Sequence, residues 1–159
     1  MTRRVDWKLG DVFLIPVSNG TFAAAQIIGR EASVLNSISI ALFDRRLDQH
    51  EEPSPILEFH EVYATLFVTR DLLDRGKWPV VGNHPITIPA AAFPYEDRRS
   101  TGYIGAKVIG SGIVQHFVSA FFGAEAWSQY KDPEYFDKLL LAPSKKLNQV
   151  SAPDEGMPN

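Results

Sequence analysis

The stretch GDVFLIPVSNGTFAAAQIIG, residues 10 to 29, constrains this chain more than any other. Asp11 to Val17 and Thr21 to Ile28 are β-rich apolar runs, and Ser18-Asn19-Gly20 separates them. Asn and Gly tolerate the positive φ of a tight turn, so the pattern predicts a β-hairpin. Pro16 decides the loop length. A two-residue Asn19-Gly20 loop would place Pro16 in a hydrogen-bonded pair without the N–H which that pair needs. A three-residue loop, with Gly20 left-handed in a bulge, turns the Pro16 nitrogen away from its partner strand and is the expectation. Both faces of the hairpin are apolar, Phe13, Ile15 and Val17 on one and Val12, Leu14 and Pro16 on the other. Both must therefore be covered, which points to a barrel or to a sheet with a helix against it.

A chain of 159 residues fits one domain, large enough to bury about 68–70% of its unfolded surface. The formal net charge of −3 speaks against a dedicated nucleic-acid binder, which carries a basic stripe. Cysteine is absent, which excludes disulfides, thiolate zinc sites and cysteine nucleophiles and fits a reducing cytosol. Arg3-Arg4 is not a twin-arginine export signal, because Val5-Asp6-Trp7-Lys8 supplies no apolar core behind it. No apolar run approaches the 18 or so residues of a membrane span. The expectation is a soluble, cytoplasmic protein.

Residues 1–9 read as an N-terminal arm, with Trp7 and Leu9 tucked against the first strand. Ile38, Ile40 and Leu42 alternate with small residues in a third strand ending at Phe43. Asp44 to Glu61 reads as a polar surface loop in which Pro53 and Pro55 break any helix, with a helical turn or short strand at Ile56 to Phe59. Val62 to Thr69 predicts a central strand, and Asp71 to Arg75 a single helical turn closed by Gly76. Lys77 to Gly82 predicts a short strand that Pro79 confines to an edge. Ala90 to Ser100 reads as an irregular loop and Tyr103 to Ile109 as the last strand. Ser111 is placed to cap a helix over Gly112 to Phe122, whose Ile113, Val114, Phe117, Val118, Phe121 and Phe122 form a packing face ended by Gly123. Asp132-Pro133 starts a second helix carrying Tyr135, Phe136, Leu139 and Leu140. Residues 10–142 thus form one β-rich domain with C-terminal helices, and 143–159 a flexible tail. The fold class is mainly β (α+β): a bent antiparallel sheet or partly open SH3-like barrel of five to seven strands with two C-terminal helices packed on it.

Catalytic motifs fail one by one. Gly110-Ser111-Gly112 is not a nucleophile elbow, since Ile109 and Ile113 hold the outer positions. It is not a dinucleotide fingerprint either, since Gln115 stands where a glycine belongs. His60-Glu61 lacks a second histidine four residues on, where Ala64 sits. His50 with Asp48, Glu51 and Glu52 has cation-ligating chemistry, but a solvated acidic loop explains these residues. His84 beside Pro85 reads as a turn residue, and His116 as exposed or at the edge of the helix's buried stripe. No catalytic residue, metal site or cofactor is assigned, and the chain reads as a non-enzyme.

The acidic run carries the functional signal. Asp44, Asp48, Glu51, Glu52, Glu58 and Glu61 outnumber Arg45 and Arg46 over the eighteen residues 44–61. Such a patch steers a basic partner at long range and raises association rates. Trp78 is a second partner-binding candidate because tryptophan is enriched at binding hot spots, with burial as a structural anchor the competing role.

Several motifs together resemble the immunity protein 26 family of bacterial polymorphic-toxin systems. They are the opening GDVFLIPVSNGTFAAAQIIG, the strand ending in Phe43-Asp44, the segment Lys77 to Ile86, and Asp132 to Leu139, so the resemblance covers roughly Lys8 to Pro143. It implies a β-rich, non-catalytic protein of the bacterial cytoplasm that binds and neutralises a cognate toxin, with no nucleic-acid or membrane partner. A basic nuclease is the toxin an acidic face would suit. It carries over no functional residues. Two other classes stay open: an RNA-acting enzyme built on an SH3-like barrel, and a small-ligand or peptide-binding module.

Overall fold

The structure, a computed structural model, describes residues 6–31, 34–53, 57–127 and 131–146. Strands β1 (Asp11–Pro16) and β2 (Phe22–Glu31) form the hairpin, with Pro16 opposite Phe22. The Val17 N–H donates to the Thr21 carbonyl at 2.8 Å, and Gly20 closes the three-residue loop at φ 92°. β3 (Ser37–Leu47) and β4 (Val62–Val68) extend the sheet antiparallel. β5 (Val80–Asn83) lies on the outer edge of β1, and β6 (Val108–Ile109) pairs in parallel with β4. The six strands are ordered β5-β1-β2-β3-β4-β6. Helix α1 (Asp71–Asp74) is one turn ended by Gly76, and α2 (Ser111–Phe121) is the long helix.

The two apolar hairpin faces are covered differently. Phe13, Ile15 and Val17 join Ile27, Ile40 and Val68 in a core sealed by Val114, Phe117 and Phe121 of α2 together with Trp127 and Phe136. Val12 faces the other way, with Ala24, Ala41 and Phe43, beneath Leu57, Ile88 and Phe93 of the connecting segments. Register shifts in the β2–β3 and β3–β4 pairings mark irregularities along the middle strands, the kind that bend a sheet. The result is mainly β with a helix on one face, as expected.

Several expectations are corrected. The sheet is open, not a barrel, and it is mixed, because β6 runs parallel to β4. β3 does not stop at Phe43 but runs on to Leu47, because β2 is long enough to hold Arg46 opposite Ala23 and Leu47 opposite Phe22. The last strand shrinks to Val108–Ile109: Gly102, Tyr103 and Gly105 all take positive φ, which no strand accommodates. Tyr95 to Thr101 is not formless, since Glu96–Thr101 makes a 3₁₀ turn. The second C-terminal helix does not form. Asp132 opens a turn by accepting the Glu134 N–H, but the chain tightens into a 3₁₀ turn at Asp137–Leu139. It then leaves so that the Leu141 N–H reaches the Tyr63 carbonyl at 2.9 Å. So short a helix has little stability of its own against such a tertiary bond. Ser111 is the first helical residue and not the cap, because its Oγ donates to Asp71 at 2.7 Å. Trp7 is anchored by donating to Asp74, whereas Leu9 is exposed. Of the expected tail, Pro143–Lys145 forms a 3₁₀ turn and Lys146 lies over the Trp127 ring; residues 147–159 are outside the described set.

Candidate functional site

The carboxylates of the acidic run divide according to the backbone that carries them. At the end of β3 successive side chains alternate in direction, so Asp44 and Arg46 share the exposed face, Arg46 lying over the Phe122 ring, while Arg45 turns to the other side. Arg45 grips Glu61 in a two-pronged pair, at 2.9 and 2.7 Å, joining β3 to the start of β4. Glu61 is therefore half-buried and committed. Asp48 and Glu51 are exposed in the connection that follows β3, and neither has an ion pair among the described residues. Glu52 reaches across to His84, whose Nε2 lies 2.8 Å from its carboxylate. Glu58 is exposed beside His60 at 3.5 Å. Asp44 is exposed as a residue, yet partial desolvation of its carboxyl and then the nearby charge of Glu61 push its pKa up.

Three carboxylates, Asp44, Asp48 and Glu51, thus stand outward without an ion pair among the described residues. Asp44 is carried near the end of β3, and Asp48 and Glu51 on the connection after it. His50, between them, stacks on Phe22 with ring centroids 5.7 Å apart, so it braces the connection against β2. Among the described residues no group of three or more His, Asp or Glu side chains is placed to hold a metal ion.

Trp78 offers no surface. It is fully buried, stacks on Phe13, and donates its indole N–H to Gln115 of α2 at 3.0 Å. His84 is likewise buried and not a plain turn residue. Its backbone N–H donates to the Gly10 carbonyl at 3.0 Å, while its ring meets Glu52. Next to it the Asn83 amide bonds Asp11 at 3.0 Å and the Leu9 carbonyl at 3.1 Å. Gln26, with no exposure at all in the middle of β2, donates to the carbonyls of Gly10 and His84. The opening Gly10-Asp11 and the distant Asn83-His84 are thus one clasp that holds edge strand β5 onto β1. Gly10 must be glycine there: its φ is 88°, and a Cβ would lie 2.9 Å from the His84 carbonyl oxygen.

The sequence model of immunity protein 26 matches residues 8–109, well over half of the chain. The chain belongs to the immunity protein 26 family. No curated protein and no solved structure matches it. The match takes in both halves of the clasp and the whole acidic run, but stops before α2, so the Asp132 to Leu139 motif lies beyond it. The Gly10-Asp11 and Asn83-His84 motifs that carry part of the immunity protein 26 resemblance bond to one another and hold β5 on β1. Sequence reasoning missed Gln26 and His84 because a buried polar residue is recognisable only once its partners, here up to 58 positions away, are known. No helix among the described residues is long and apolar enough to cross a membrane.

A concave surface lies between the hairpin tip and α2, with a volume of about 280 Å³. His116 and Glu125 pair there at 2.9 Å, and Ser119 accepts the Ser18 N–H at 3.0 Å. The Ser18–Ser119 bond fastens the hairpin tip to α2, and the His116–Glu125 pair ties the helix to the segment that follows it.

Proposed function

We infer that this immunity protein works by binding a cognate toxin in the bacterial cytoplasm and blocking it, without catalysing a reaction. Family membership carries this reading, and the outward trio Asp44, Asp48 and Glu51 gives it a surface. Outward carboxylates on the end of β3 and the connection after it attract a basic partner from a distance and speed encounter by roughly 10–10³-fold at low salt. A toxin with a cationic active site, such as a nuclease, is the class such a face complements.

The experiment is co-expression with the cognate toxin, comparing the parent with the triple variant D44K/D48K/E51K. None of these carboxylates has an ion pair within the described structure, so the variant is expected to stay folded, with a urea midpoint no lower than the parent's. It is expected to lose protection and to bind the toxin at least about tenfold more slowly at low salt. A folded triple variant that protects as well as the parent would refute this surface.

A further inference from the structure

The outer edge of β4 is interrupted. N–H and C=O groups of alternate residues in a strand point to the same side. On β4 the positions facing away from β3 are Tyr63, Thr65 and Phe67. The Tyr63 carbonyl accepts the Leu141 N–H at 2.9 Å. Phe67 pairs with Val108, and the Thr69 N–H reaches the Ile109 carbonyl at 3.1 Å. Thr65, between these two fastenings, has no backbone partner on that side among the described residues. Its side chain is already engaged, donating to the Ala92 carbonyl at 2.6 Å.

Thr65 lines a cleft of about 320 Å³, together with Phe67, Phe93, Pro94, Leu139 and Leu141. Lys107 and Lys138 line it as well. Lys138 is tethered to Asp132 at 2.7 Å, whereas Lys107 is exposed and has no ion pair among the described residues. An unfilled strand edge, with a main-chain donor and acceptor free to pair, is a template for another chain.

We propose that this cleft docks an extended peptide segment of another protein, one carrying an acidic side chain. One residue of that segment exchanges N–H···O=C bonds with Thr65. A neighbouring apolar side chain enters between Phe93 and Leu139, and a carboxylate reaches Lys107. A full strand would collide with Leu141 and Val108, so the segment crosses the edge at a single residue instead of running along it. Lys107 is what selects an acidic segment over a basic one. The cleft is separate from the carboxylate trio, so each reading stands or falls alone.

The test uses isotope-labelled full-length protein and a capped octapeptide alternating valine and glutamate. Two controls accompany it: the valine–lysine counterpart, and the glutamate peptide N-methylated at alternate residues. In the free protein the Thr65 amide should exchange with solvent faster than that of Phe67. The glutamate peptide should shift the Thr65 amide resonance, and Lys107→Glu or N-methylation should each weaken it by about tenfold. The lysine peptide should not bind. A Thr65 amide as protected as Phe67 in the free protein would mean that the chain's own residues fill the edge, and would overturn the proposal. So would the absence of binding at millimolar peptide, or binding indifferent to both Lys107→Glu and N-methylation.

Discussion

Trp78 is where the anchoring and partner-binding roles diverge most measurably. Its ring lies 5.5 Å from that of Phe13 at an interplanar angle of 16°, and its indole N–H is held by Gln115, so one side chain joins the start of β5, the hairpin and α2. Alanine there would empty a filled core position at a cost of about 3–5 kcal/mol, a large part of the roughly 5–15 kcal/mol that holds a domain folded. Trp78→Phe is the sharper perturbation. It keeps an aromatic face on Phe13 but removes the N–H, worth about 1 kcal/mol, and leaves a small void worth about 1–2 more, for a total of about 2–3. Gln115→Ala keeps the ring and strands its N–H, at about 1–3 kcal/mol. Both variants delete the same bond, so the double variant should fall short of their sum by about 1 kcal/mol. Urea unfolding followed by circular dichroism measures all three, and toxin affinity is compared where every variant is fully folded. If Trp78→Phe changed stability by less than about 0.5 kcal/mol yet weakened toxin binding, the residue would be a contact and not an anchor.

Three further variants follow from the same geometry. A Cβ on Gly82 would meet the Glu52 carboxylate and force it off His84, so Gly82→Ala should cost about 1–2 kcal/mol in the parent but almost nothing in a Glu52→Ala background, read by urea midpoints. Tyr63 is buried with its hydroxyl unpartnered among the described residues, and Tyr63→Phe should stabilise the fold by about 1 kcal/mol in urea unfolding; a loss would mean the hydroxyl is satisfied. Asp44, with its pKa raised by desolvation and by Glu61, keeps its proton in the folded chain where the unfolded chain has released it. Stability should therefore fall as pH climbs through the carboxylate range, from about 4 upward, and Asp44→Asn should flatten that fall and raise the midpoint at pH 7. A parent and variant with parallel pH profiles would refute the assignment.

Local sequence determined whatever depends on a residue's own backbone preferences or on short-range period. The Ser18-Asn19-Gly20 loop, the stops at Gly76 and Gly123, the edge position after Pro79 and the buried stripe of α2 were all legible, because each is decided within a few residues by allowed φ, a missing N–H or helical spacing. The acidic run was legible as composition, but its division was not. Only the fold turned Glu52 to His84 and Glu61 to Arg45 while leaving Asp44, Asp48 and Glu51 outward. Tertiary structure alone likewise decided that β3 outlasts its apolar residues, that Leu141 reaches Tyr63 instead of continuing a helix, and that Thr65 is left between two fastenings. These outcomes rest on pairings across tens of residues, where the free energy of closing a loop and satisfying a distant backbone group outweighs any preference a short window can express.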